Sequence, residues 1–160
     1  MAVRVIGLEK ALKDIESKGK EAVQAVVETL SETADGIDFD AKTNAPRTLG
    51  TSELNSLVKG KLLNLKQRID KVPTNKGLNW KIGIQGTQDF DAYAEFGTGQ
   101  DAAQILNSPG YTPEMRAIAM NFFKNGKGTL KGKPFLFPAW IKNTANLVEE
   151  IKAKIAQAVK

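Results

Sequence analysis

The sequence contains neither cysteine nor histidine. Lack of cysteine excludes disulfides, thiolate nucleophiles and every zinc site that needs sulfur; lack of histidine removes the usual imidazole base and the commonest transition-metal ligand. Long apolar runs are missing too. The opening MAVRVIGLEK has only a few apolar residues before Glu9, too short for a secretory h-region, and no later stretch approaches the roughly 20 apolar residues of a membrane span. The expectation is a product of cytoplasmic synthesis with no membrane contact. The remaining composition is that of a folded protein: 160 residues, 41% hydrophobic and 26% charged, predict one domain over 1–160 with a single core.

The net charge of +5 permits nucleic-acid contact but is modest for a dedicated binder. Its distribution is more informative. Glu28, Glu32, Asp35, Asp38 and Asp40 follow one another without a base, as do Asp89, Asp91, Glu95 and Asp101. Lys59, Lys61, Lys66, Arg68, Lys71 and Lys76 oppose Asp70 alone, and Lys124, Lys127, Lys131 and Lys133 have no acid among them. Two readings fit. The charges are solvated faces that pair within one molecule, or an acidic surface of one subunit meets a basic surface of the next in a head-to-tail ring.

Leu8, Leu12, Ile15, Ala22, Val23, Val26, Leu30, Ala34 and Ile37 recur at helical spacing, which predicts a long first helix weakened at Gly19 and ended by Pro46. Ser52 caps a short helix from Glu53, and the segment 61–70 reads two ways: Leu54, Leu57, Val58, Leu62, Leu65 and Ile69 fit a helix, and Leu63, Leu65 and Ile69 a strand. Because Gly60 separates the two patterns, the preferred reading is a helix to about Val58 followed by a strand. In VPTNKG, Asn75 to Gly77 reverses the chain. Trp80, Ile82 and Ile84 alternate as one strand face, QGTQD makes the next turn, and Ala92, Ala94 and Phe96 alternate as another strand, with Tyr93 and Glu95 on its opposite face. An insertion at about 100–133 carries a helix announced by Thr112, Pro113 and Glu114 and stopped at Asn125-Gly126. PFLFPAW reads as a short extended piece between Pro134 and Pro138. A terminal helix follows, with Ile141, Ala145, Val148, Ile151, Ile155 and Val159 on one stripe. The class is α+β: a small antiparallel sheet packed against long N- and C-terminal helices, with an inserted helix.

The chemical readings are weak by comparison. GKGTLKGK lacks the four-residue glycine spacing and the Lys-Ser/Thr pair of a phosphate loop. Asp89, Asp91, Glu95 and Asp101 offer oxygen ligands or a carboxylate pair for a hydrolase, but aspartates in a turn commonly bond their own backbone. The lysine-rich segments lack interleaved aromatics, which leaves non-specific phosphate contact as the nucleic-acid reading. In EFGTG, Gly97 and Gly99 supply positive φ where the chain leaves the strand. Phe135, Phe137 and Trp140 offer large apolar area suited to the core.

DAYAEFGTG (91–99), followed at a distance by GKPFLFPAW (132–140) and a terminal helix, resembles the head–tail joining and tail-completion proteins of tailed phages, minor tail components of HK-like siphophages. DAKTNAPRTLGTSELNSL (40–57) is similar to the end of that family's first helix, with its turn spread over Arg47, Thr48, Leu49 and Gly50. The 100–133 stretch departs from the family's more compact pattern. The resemblance implies a structural virion protein without catalysis or cofactor. It implies a ring of copies of this chain, a hexamer, at the phage neck. Its partners would be the head-completion or connector proteins and the tail tube or tail terminator protein, with non-specific contact to packaged DNA. Alternatives are a tail terminator ring capping the tube, a non-specific nucleic-acid-binding protein, or a carboxylate-dependent hydrolase. In the ring reading the interface draws on Lys59, Lys61, Lys66, Arg68, Asp89, Asp91, Glu95, Asp101, Lys124, Lys127, Lys131 and Lys133. Tyr93, Phe96, Gly97, Gly99, Pro134, Phe135, Phe137, Pro138 and Trp140 form its structural turn and packing motif.

Overall fold

A computed structural model of the chain describes residues 2–3, 19–46, 65–85, 94–97, 109, 111–120 and 131–159. In order these form β1 (Ala2–Val3), α1 (Lys20–Asn44), α2 (Leu65–Arg68), β2 (Ile69–Thr74), a 3₁₀ turn (Asn75–Gly77) and β3 (Asn79–Ile84). Then come α3 (Pro113–Met120), α4 (Leu136–Thr144) and α5 (Leu147–Ala158). The sheet is antiparallel in the order β1-β3-β2, so β3 is central. The α+β class read from the sequence is the one observed.

α1 starts at Gly19, whose φ of 94° places it outside the helix as its N-cap, and ends at Asn44. Ala45 then takes extended angles (φ −55°, ψ 124°) because Pro46 follows it. One side of α1 is buried: Ala22, Ala25, Val26, Thr29, Leu30, Ala34, Ile37 and Ala41. Its far half joins Ile69, Ile82 and Ile84 of the sheet and the rings of α4 in the larger core cluster. Its first half packs with Leu147 and Ile151 of α5 in a second cluster. Trp80 lies against both clusters, and its indole Nε1 donates to the Gly77 carbonyl at 3.1 Å. Thr29, the buried hydroxyl of α1, donates to the Ala25 carbonyl at 2.8 Å.

Three expectations are corrected by the backbone. Leu65 lies in the helical turn α2, and the strand begins only at Ile69, running through Val72, Pro73 and Thr74 before the reversal at Asn75–Gly77. Residues 94–96 are helical, not a strand. PFLFPAW is not extended: Leu136 opens α4 and Pro138 is its third residue. A proline is tolerated there because the first N–H groups of a helix have no intrahelical acceptor to lose.

The terminal stripe is corrected as well. Asn143 and Thr144 turn their side chains back onto the Ala139 and Trp140 carbonyls, and the helix is interrupted at Ala145 and Asn146 before α5 begins. Leu147 and Ile151 are buried, while Val148 and Val159 are 63% and 42% exposed. The expected cap of α3 is present, with the Met115 N–H donating to the Thr112 hydroxyl at 3.3 Å. The readings made for 4–18, 47–64, 86–89 and 121–130 lie outside the described residues.

Asn75, Lys76 and Gly77 all have positive φ (49°, 55° and 88°). At Gly77 a Cβ would also come within 2.9 Å of Val27 Cγ1 on α1. Gly77→Ala is expected to cost about 1–2 kcal/mol from the left-handed conformation alone, read as a lowered urea midpoint at unchanged slope. An unchanged midpoint would show that this turn relaxes freely.

Candidate functional site

Two stretches that lie about forty residues apart meet at one joint. Gly97 leaves the 94–96 turn with φ 69°, and the Lys133 N–H donates to the Ala94 carbonyl at 2.9 Å. Gly132 lies so close that a Cβ there would stand 2.6 Å from Phe96 C and Gly97 N; only glycine fits that approach. Phe96 meets Phe137 with ring centroids 5.2 Å apart, and Tyr111 meets Phe137 edge-on at 5.8 Å. Phe96, Phe135 and Phe137 are fully buried and Trp140 nearly so, as expected for core rings.

At the centre stands Glu95, with no solvent exposure. One carboxylate oxygen, Oε2, accepts from the Phe135 and Leu136 N–H groups at 2.9 Å each, and Oε1 accepts from Phe137 N–H at 3.0 Å. These are the free donors at the start of α4. Lys133, Pro134 and Phe135, which lead into that helix, include none of the Ser, Thr, Asp or Asn residues that normally cap one. The cap is supplied from forty residues away, at the end of the helix where the macrodipole favours negative charge. Glu95 therefore lies inside the chain, not on a face that meets a neighbouring subunit; this corrects its placement on the outer face of a strand. Burial pushes its carboxyl from 4.5 up to about 7, against the three N–H groups, which favour the ionised form.

Most of the acids on α1 are matched within the molecule. Glu32 pairs with Lys154 of α5 at 2.6 Å, Asp35 with Lys71 of β2, Asp38 with Lys42 one turn on, and Asp40 with Lys142 of α4 at 2.9 Å. Asn143 adds a second bond to Asp40 at 2.8 Å, and hydrogen bonding from Lys142 and Asn143 holds that carboxyl below its usual range. Of the two charge readings, pairing within one molecule is what the described residues show for this segment. Between α1 and the α4–α5 break, Glu32, Thr33, Lys142, Asn143, Asn146 and Glu150 line an open polar hollow of about 240 Å³.

Among the remaining interface residues read from the sequence, Lys66, Lys131 and Lys133 are exposed and Arg68 is half-buried. Lys131 and Lys133 flank the joint. Lys59, Lys61, Asp89, Asp91, Asp101, Lys124 and Lys127 lie outside the described residues, as do Tyr93 and Gly99. No group of three or more acids that could hold a metal occurs among the described residues, and no helix among them is long and apolar enough to cross a membrane. Comparison with protein-family models, with curated proteins and with solved structures finds no match for this chain.

Two outcomes follow for Glu95. Glu95→Leu removes the acceptor of three buried N–H groups and is expected to destabilise the fold by about 3 kcal/mol or more in urea denaturation. The folded chain also holds the Glu95 proton more tightly than the unfolded chain does. Stability should therefore rise as pH falls from about 7 towards 4.5 and be lost as pH rises through that window, by roughly 3 kcal/mol at most. Thermal midpoints of the wild type and of Glu95→Gln, compared at pH 5 and pH 8, measure this; the difference between the two proteins should shift with pH in the wild type's favour on the acid side.

Proposed function

We propose that this chain is a structural virion protein of a tailed bacteriophage, a subunit of a homo-oligomeric ring at the neck that joins the head connector to the tail tube. The observation that carries the reading is the joint. DAYAEFGTG and GKPFLFPAW are the two motifs on which the resemblance to head–tail joining proteins rests, and their described residues are built as one unit through Glu95, Gly132 and Phe96. Two separate short motifs that jointly cap and pack one helix form a single structural signature, and such a signature is more specific than either string alone.

The chemistry of the joint supports the same reading. Glu95 has both oxygens engaged by N–H groups and no exposure to water, so it caps a helix and is not poised as a base. Most of the acids of α1 are matched internally, while Lys66, Lys76, Lys131 and Lys133 of the basic segments are exposed. In the ring these lysines meet acidic surface of a neighbouring subunit or of an adjoining ring, and the backbone of Lys133 is held at the joint by its bond to Ala94. A tail terminator ring is the same class of object at another level of the stack; position in the particle separates the two.

Localisation of the subunit in an electron-microscopy map of whole particles tests the proposal, with density expected between connector and tail tube. Particles lacking the protein should accumulate as separate heads and tails; infectious, joined particles would overturn the reading. Lys131→Glu combined with Lys133→Glu should lower ring assembly in sedimentation while leaving the circular dichroism of the subunit unchanged.

A further inference from the structure

β2 is an edge strand of the described sheet, and Val72 and Pro73 on it are exposed. An exposed strand edge is a template for another strand. The hydrogen-bond pattern shows which backbone groups point outward. Gln85 N–H donates to the Arg68 carbonyl at 2.7 Å, and the register carries this pairing on as Asp70 with Gly83, Val72 with Lys81 and Thr74 with Asn79. In an antiparallel ladder the bonded pairs alternate, so Ile69, Lys71 and Pro73 direct their backbone groups away from β3.

Neither Lys71 nor Pro73 offers a donor there. Proline has no N–H. The Lys71 N–H is taken by Asp70 Oδ1 at 2.9 Å, and Asp70 is itself held by its other oxygen, which accepts from the Gln85 side-chain amide at 2.6 Å. Gln85 thus fixes both ends of the arrangement, through its backbone to Arg68 and through its side chain to Asp70. Lys71 in turn is drawn over α1 by its ion pair with Asp35 and by the Trp80 ring, 5.9 Å from its ammonium.

We infer that Asp70, pinned by Gln85 and seconded by Pro73, is an edge guard that closes β2 against strand pairing with a second copy of this chain. The inference rests on the ladder alone and stands whichever assembly the chain enters.

The absence of native cysteine allows a direct test. Two copies of β2 paired antiparallel about Val72 would place the two 72 side chains opposite each other, and Lys71 of one strand opposite residue 73 of the other. Val72→Cys is therefore placed in the parental chain and in a D70A/P73T background, and disulfide dimers are counted on a non-reducing gel after mild oxidation. Dimers should be scarce in the first and rise roughly tenfold in the second, since one donor is released and another added. Equal cross-linking in both backgrounds would overturn the guard. D70A alone keeps the question decidable if the double variant does not fold: amide exchange at Lys71 in the monomer should accelerate while exchange at Val72 and Ile82 stays slow. Unchanged exchange at Lys71 would likewise overturn the inference.

Discussion

The arrangement of the helices depends on one buried carboxylate. α4 begins after a lysine, a proline and a phenylalanine, none of which can accept a hydrogen bond with its side chain from the helix's first N–H groups. Those N–H groups are enclosed among aromatic rings, where water cannot serve them, and each would cost roughly 1–3 kcal/mol unpaired. Glu95 accepts from all three. The cost of burying its charge shows as the raised carboxyl, and the energy that offsets it is the set of charge-assisted bonds and the helix dipole.

Much of the remaining packing follows from a helix held at that end. α4 delivers Lys142 and Asn143 to Asp40 of α1, and the Asn143 side chain lies over Gly36 in the middle of α1. Beyond the break after Thr144, Leu147 and Ile151 of α5 pack with Val26 and Leu30 of α1. The charged residues along α1 then serve as guides on the rim of these contacts, one each for β2, α4 and α5. Exposed ion pairs of this kind contribute little individually, and their value lies in fixing the angle at which each element approaches.

Among the described residues the one fully buried acid, Glu95, is a structural acceptor, and most of the acids on α1 are matched within the molecule.

The sequence by itself determined the elements whose signal is local. Three- and four-residue spacing marked α1, and Pro46 its end; Trp80, Ile82 and Ile84 marked β3; Thr112 and Pro113 marked the start of α3; and the asparagine and glycine at 75 and 77 marked the reversal. These depend on periodicity, caps and positive φ, which neighbouring residues carry. Only tertiary structure decided the helical turn at 94–96, the helix at PFLFPAW and the role of Glu95. An alternating Ala-Glu-Phe pattern suits a strand until the glutamate finds donors forty residues away, and a proline between aromatic residues reads as extended until a distant acceptor makes its segment the first turn of a helix. One sign was present in the chain: a run of apolar residues leading into a helix with no capping side chain before it has to obtain its acceptor from elsewhere. Which residue supplied it was a matter of three-dimensional proximity, and no spacing in the sequence encodes that.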